Sequence, residues 1–232
     1  MCGWVLILFS LGFLLCRQTE AQTYVGLSLN LGNQMRYSPD SPGLKTPASS
    51  SGNILLNIQE RLTNGLAVQY GAGLGILGYN LKVVAIDSIL TGEKSVFPEY
   101  ATFYGNLHLL LGKEFLINQK RLLFSLGGGG SYYYSAYPTT TYDVDVIVDG
   151  GFKKTFHAEV FFPENQFLAF AKIATQLDLT GSLSIGLEYV HHLKSLLSGS
   201  YEFYNTKTPS RGTIELYQGE LKVVALLRVS RE

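Results

Sequence analysis

The sequence has 232 residues, is 46% hydrophobic and only 16% charged, and its 18 Lys and Arg balance 18 Asp and Glu. Balanced charge excludes the basic surface that nucleic acid requires, and beyond the leader no apolar run reaches the roughly 18 residues of a membrane helix. Both cysteines, Cys2 and Cys16, fall in the first 21 residues, which leaves the rest of the chain without a disulfide or a thiolate metal site.

Residues 4–15 are apolar over the length of a signal-peptide core, too short to cross a bilayer. Thr19-Glu20-Ala21 supplies the small residues of a cleavage site, so a signal peptide over 1–21 and an exported domain over 22–232 are expected. Cys16 follows Leu15, where lipoprotein processing wants a small residue. Removing the leader takes away Arg17 and Glu20 and keeps the charge balanced.

From residue 24 onward the dominant pattern is alternation with a period of two, the mark of strands with unlike faces. Val25, Leu27, Leu29 and Leu31 oppose Tyr24, Gly26, Ser28 and Asn30; Ile54, Leu56 and Ile58 then oppose Asn53, Asn57 and Gln59. Val68 through Ile76 alternate with Gln69, Gly71, Gly73 and Gly75, and Phe103, Leu107, Leu109 and Leu111 with Thr102, Tyr104, Asn106 and His108. In the second half the strands are 122–134, 169–178, 183–189 and 220–229, which makes eight.

The links alternate in length. Segments 32–52, 87–98, 136–165 and 193–213 are long, whereas Thr63-Asn64-Gly65, 112–120 and 179–181 are short. This predicts an all-β fold: an eight-stranded antiparallel up-and-down transmembrane β-barrel with short periplasmic turns and long extracellular loops, both chain ends on the short-turn side. A soluble lipocalin-like calyx is also up-and-down, but its outer face would be charged. Here the less apolar face carries mainly Gly, Ser, Asn and Thr, which suits a narrow lumen better than water. Phe97, Tyr100, Phe103, Tyr132, Tyr134 and Phe167 gather at loop-side strand ends, as an interfacial aromatic girdle would.

Through this architecture and the Gly-rich alternating strands at 70–78 and 126–134, the exported chain resembles the OmpA/OmpX-type family of small outer-membrane β-barrel proteins along essentially its whole length. The resemblance implies a Gram-negative cell envelope, an outer-membrane location and outer-membrane lipid as the surroundings. Members of that family typically end in an aromatic residue; this sequence ends Arg228-Val229-Ser230-Arg231-Glu232.

On the interior phase fall His108, Lys172, Gln176, Glu188, Glu220, Lys222 and Arg228. Charge in a narrow lumen must be paired, so a structural polar cluster is expected, with a narrow channel or small-solute translocator as the alternative. His191 and His192 point to opposite faces and cannot share an ion; both read as rim residues. A lipid A-modifying esterase would want a His with Ser195 or Ser198, yet the pattern places no carboxylate beside them, so no enzyme activity, metal or cofactor is expected. Within 136–165, alternation on both sides of Asp149-Gly150-Gly151 predicts a hairpin that extends strands five and six above the membrane. Its free edge could pair with surface proteins, and Asp143, Asp145 and Asp149 are its exposed binding candidates. The expected function is a structural and surface-interaction role.

Overall fold

The computed structural model describes residues 22–38, 44–45, 51–62, 64–79, 82–83, 94–95, 100–134, 139–148, 151–162, 165–204 and 211–229. The expected leader, Phe97 and Asp149 lie outside these, and for Tyr100 and Asp145 only the strand placement is described. Fourteen strands occur among the described residues: β1 (Gln22–Ser38), β2 (Leu44–Lys45), β3 (Ser51–Arg61), β4 (Leu66–Tyr79), β5 (Lys82–Val83), β6 (Lys94–Ser95), β7 (Tyr100–Ile117), β8 (Lys120–Tyr134), β9 (Thr139–Val148), β10 (Gly151–Phe161), β11 (Asn165–Asp178), β12 (Leu183–His192), β13 (Leu197–Phe203) and β14 (Arg211–Val229).

Eight of them close a barrel in the order β1-β3-β4-β7-β8-β11-β12-β14, and β14 returns to β1 through an antiparallel ladder from Thr23↔Val229 to Ser38↔Glu215. The eight-stranded antiparallel up-and-down barrel read from the pattern is therefore the observed architecture. Its alternation has the expected sense. Leu27, Leu74, Leu111, Leu126 and Leu187 stand outward, Leu74 with 76% of its surface exposed, while Ser28, Asn57, Gln69, His108 and Glu188 are buried inside. Phe103, Tyr132, Tyr134 and Phe167 are likewise exposed on the outside.

Tight turns join the strands at the end that carries Gln22 and Val229. Leu62 donates its N–H to Leu66 and Gly65 donates to Leu62, with Gly65 at φ 75°. The link at 112–120 is much shorter than its sequence suggests. β7 runs to Ile117, β8 begins at Lys120, and Asn118 and Gln119 make the whole turn at φ 49° and 64°. Two consecutive left-handed residues match the twist of a two-residue hairpin, a geometry usually signalled by glycine.

The long links are not loops throughout. β2, β5 and β6 form a small three-stranded sheet, and β1 continues past a register shift at Asn30/Gly32. Residues 193–213 contain β13, which pairs with β14 from Leu197↔Leu216 to Glu202↔Arg211, directly beyond the β12 ladder that ends at His191↔Gly219. The expected hairpin exists as β9–β10, but it does not extend β8 and β11. It adds β10 to β13, from Phe156↔Phe203 to Phe161↔Ser198, and places β9 at the edge of the sheet. The cause is the apolar face of the hairpin: Tyr142, Val144, Phe156, Ala158 and Val160 lie on one side and pack, together with Leu197, Tyr201, Phe203, Ile214 and Leu216, into a cluster shared with Leu77, Tyr104, Tyr133 and Leu168 of the barrel wall. Phe156 and Phe203 rings are 4.9 Å apart, and Phe162 meets Tyr133 edge-on at 6.5 Å. The sheet β14-β13-β10-β9 is a lid on the loop-side mouth.

Small residues on β4 make room for large ones opposite. A Cβ on Gly75 would come within 2.5 Å of the Tyr104 ring, whereas one on outward-facing Gly105 would meet only Leu74 at 3.7 Å and a backbone oxygen at 3.9 Å. Gly75→Val is expected to abolish the compact, heat-modifiable band on detergent gels, and Gly105→Ala to leave it in place.

Candidate functional site

The lumen is the one place among the described residues where charged side chains converge from many strands. At the short-turn end Arg61 of β3 contacts Asp178 at 2.7 Å and Glu114 at 3.6 Å, donates to Ser184 and Gln59, and lies 4.3 Å over the Tyr24 ring. Above it a glutamine relay crosses the lumen: Gln59 donates to Gln176 at 2.7 Å, Gln176 to Gln69 at 2.8 Å, and Gln69 to Glu188 at 2.9 Å. Glu188 pairs with Lys172 at 2.9 Å, and Lys172 reaches His108 Nε2 at 3.2 Å.

Further toward the lid, Glu220 collects the ammonium of Lys222 and donated hydrogen bonds from Asn53, Tyr104 and Gln218. Tyr133 donates to Gln218 at 2.9 Å and lies 3.4 Å from His192. Beyond this level the apolar underside of the lid begins. Arg61 with Asp178, Lys172 with Glu188 and Lys222 with Glu220 make three pairs whose charges cancel. The pairing is what a lumen demands, because an unpaired buried charge costs several kcal/mol. Lys172 and Glu188 have 1% and 0% of their side-chain surface exposed, so at their level the barrel is filled.

Six of the seven residues read onto the interior phase meet here: His108, Lys172, Gln176, Glu188, Glu220 and Lys222 are all buried in the lumen. Arg228 is corrected. It keeps the phase of Glu220 and Lys222 but lies near the end of β14, opposite Tyr24, and is exposed. His192 is corrected as well. His191 is exposed, whereas His192 is buried between Phe170 and Tyr133 rather than standing at a rim. Ser195 and Ser198 lie on the lid side; Ser198, on β13, is exposed. Among the described residues no group of three metal-binding side chains forms.

Arg61, Gln69, Tyr104, Tyr133 and Gln218 join the cluster without standing out in the sequence as its members. The signal that could find them is phase: Arg61 continues the inward series Asn53, Asn57, Gln59, and Tyr133 continues Gly129 and Ser131.

On the lid, Asp143 of β9 pairs with Lys154 at 2.6 Å and with His157 at 2.7 Å. The Lys154 and His157 hydrogen bonds hold its carboxyl below the ordinary aspartate value. Asp145 is placed on β9 opposite Lys154 of β10.

No protein-family model and no curated protein matches the chain. Solved structures similar to it include the outer membrane protein OprG from Pseudomonas aeruginosa (6% identity, 91% of this chain and 98% of that one, TM-score 0.40). Others are Ail, the attachment invasion locus protein of Yersinia pestis (11%, 91% and 99%, 0.38), and a major outer membrane protein from Thermus thermophilus (10%, 90% and 100%, 0.41). Likeness at this distance says nothing of activity.

Two outcomes are expected. Lys172→Met leaves Glu188 buried without its cation and costs about 3–5 kcal/mol in urea unfolding, while Lys172→Met combined with Glu188→Leu recovers most of the loss. Because the Asp143 carboxyl is held low, its contribution is complete above the ordinary aspartate value and disappears as pH falls through the lowered one. Protection factors of the β9–β10 hairpin amides, corrected for the pH dependence of intrinsic exchange, should therefore fall on acidification, and Asp143→Asn should flatten that dependence.

Proposed function

We propose that this protein is an outer-membrane β-barrel of a Gram-negative cell envelope, exported through a cleaved signal peptide, with a structural and surface-interaction role. The carrying observation is the inversion of its faces. A closed barrel with Leu27, Leu29, Leu74, Leu111 and Leu126 exposed outside, two charge pairs buried inside and a third, Arg61–Asp178, half-buried at its short-turn end is matched to lipid rather than to water. In this reading the tight turns face the periplasm and the lid faces the exterior.

The filled lumen favours an anchoring role over the alternative of a narrow channel or small-solute translocator. A permeating ion would have to displace Lys172–Glu188 and then pass beneath an apolar lid. Catalysis is not part of the proposal, since the charged groups of the lumen are paired with one another. The lid presents the surface for contacts, including the edge of β9, where an extended segment of a surface protein could add as a further strand.

In planar lipid bilayers the refolded chain is expected to give no conductance steps, and Glu188→Gln to stay silent too. Steady single-channel steps from either would overturn the closed-barrel role. Heat-modifiable mobility together with recovery in the outer-membrane fraction tests the location independently.

A further inference from the structure

The lid has two faces of different character. Its underside is the apolar cluster; its outer face carries a groove of about 370 Å³ that runs along β13. The floor is made by Ser198 and Ser200, small side chains between taller neighbours on β10 and β14. Two rows cross it. In one, Phe161, Ser198 and Glu215 are in register across three strands; in the other, Glu159, Ser200 and Thr213 are.

We propose that this groove binds a short, non-anionic saccharide, with an amino sugar preferred. This rests on the reading of the lid as the exterior face, the side on which surface polysaccharide is met.

The chemistry of the two rows carries the assignment. Phe161 has 49% of its surface exposed, although Glu215 of its own row lies about 20 Å along β14 from lipid-facing Leu221. An exposed ring at that height is not explained by the bilayer, and it offers a flat apolar platform for the C–H face of a sugar ring. The hydroxyls of Ser198, Ser200 and Thr213 can both donate and accept, as sugar hydroxyls require. Among the described residues Glu159 makes no ion pair and Glu215 accepts only from Tyr217, at 2.8 Å, so carboxylate oxygens remain for hydroxyl or ammonium donors.

No Lys, Arg or His lines the groove, which disfavours phosphorylated or sulfated sugars. A single metal ion is disfavoured too. Glu159 and Glu215 are the only two carboxylates in its lining, short of the six to eight oxygen ligands a calcium ion takes, and among the described residues no group of three metal-binding side chains forms. The groove is broad and open, so it would hold one face of a ligand rather than enclose it. The two rows are a strand repeat apart, about 6.6 Å.

The test uses the refolded chain in detergent micelles, titrated with the β-1,4-linked disaccharide of glucosamine, its N-acetylated form and a sulfated disaccharide, read by saturation-transfer NMR. Saturable binding of the glucosamine disaccharide with Kd on the order of 1 mM is expected, several-fold weaker for the N-acetylated form and about tenfold or more weaker for the sulfated one. Phe161→Ala and Ser198→Trp, the latter filling the groove from its floor, are each expected to weaken binding about tenfold. Glu215→Gln should reduce the amino-sugar preference, and Lys120→Gln at the opposite rim should change nothing. All variants are checked for heat-modifiable mobility. Absence of saturable binding, equal binding of the sulfated sugar, or undiminished binding by folded Phe161→Ala and Ser198→Trp would overturn the assignment. Micelle binding does not depend on which side of a membrane the lid faces, so the site and the proposed orientation can fail separately.

Discussion

The governing constraint is the small cross-section of a ring of eight strands. Once β14 closes onto β1, the interior is about as wide as the side chains that point into it, and each inward position must be small or matched to a neighbour. Gly75 yields to Tyr104 and Gly71 to His108, while Lys172 must find Glu188. The outward positions escape this constraint and are free to be uniformly apolar.

The same constraint explains why the polar lumen is continuous rather than scattered. In a space with little water, the charges strengthen one another when paired and are costly when alone. Arg61, the Gln59–Gln176–Gln69 relay and Lys172–Glu188 form one chain of donors and acceptors, and the Glu220 cluster lies next to it, Lys222 being in register with Glu188 across β12 and β14. That cluster ends where the Tyr133 ring meets His192 on one side and Phe162 of the lid on the other, so the polar interior passes into an apolar one without leaving the barrel. The apolar core beneath the lid, shared with the wall, seals the polar one.

The wall was legible because its strands satisfy a period of two over many residues and because Asn64-Gly65 names its turn. Where the signals are weaker, sequence and structure part for physical reasons. Asn118 and Gln119 adopt left-handed conformations without a glycine to announce them, so their turn looks longer than it is. Arg228 keeps the inward phase but sits beyond the point where the wall encloses it; phase sets direction, and burial needs depth as well. The alternation of Tyr142, Val144, Phe156, Ala158 and Val160 is visible, but alternation cannot say which strand a hairpin will join. The β10–β13 pairing spans a long stretch of chain and is decided by apolar surface on both partners. His192 follows from the same omission: without the lid above it, a strand-end histidine reads as a rim residue.

β14 belongs to two structures at once. Its 19 residues pair with β1 and β12 through the wall and continue, unbroken, into the lid as the partner of β13. A pull on the lid would thus be conducted down a single continuous strand to Val229 at the opposite end of the barrel. Such a load acts parallel to the ladders on either side, so many hydrogen bonds resist together instead of parting one by one like a zip.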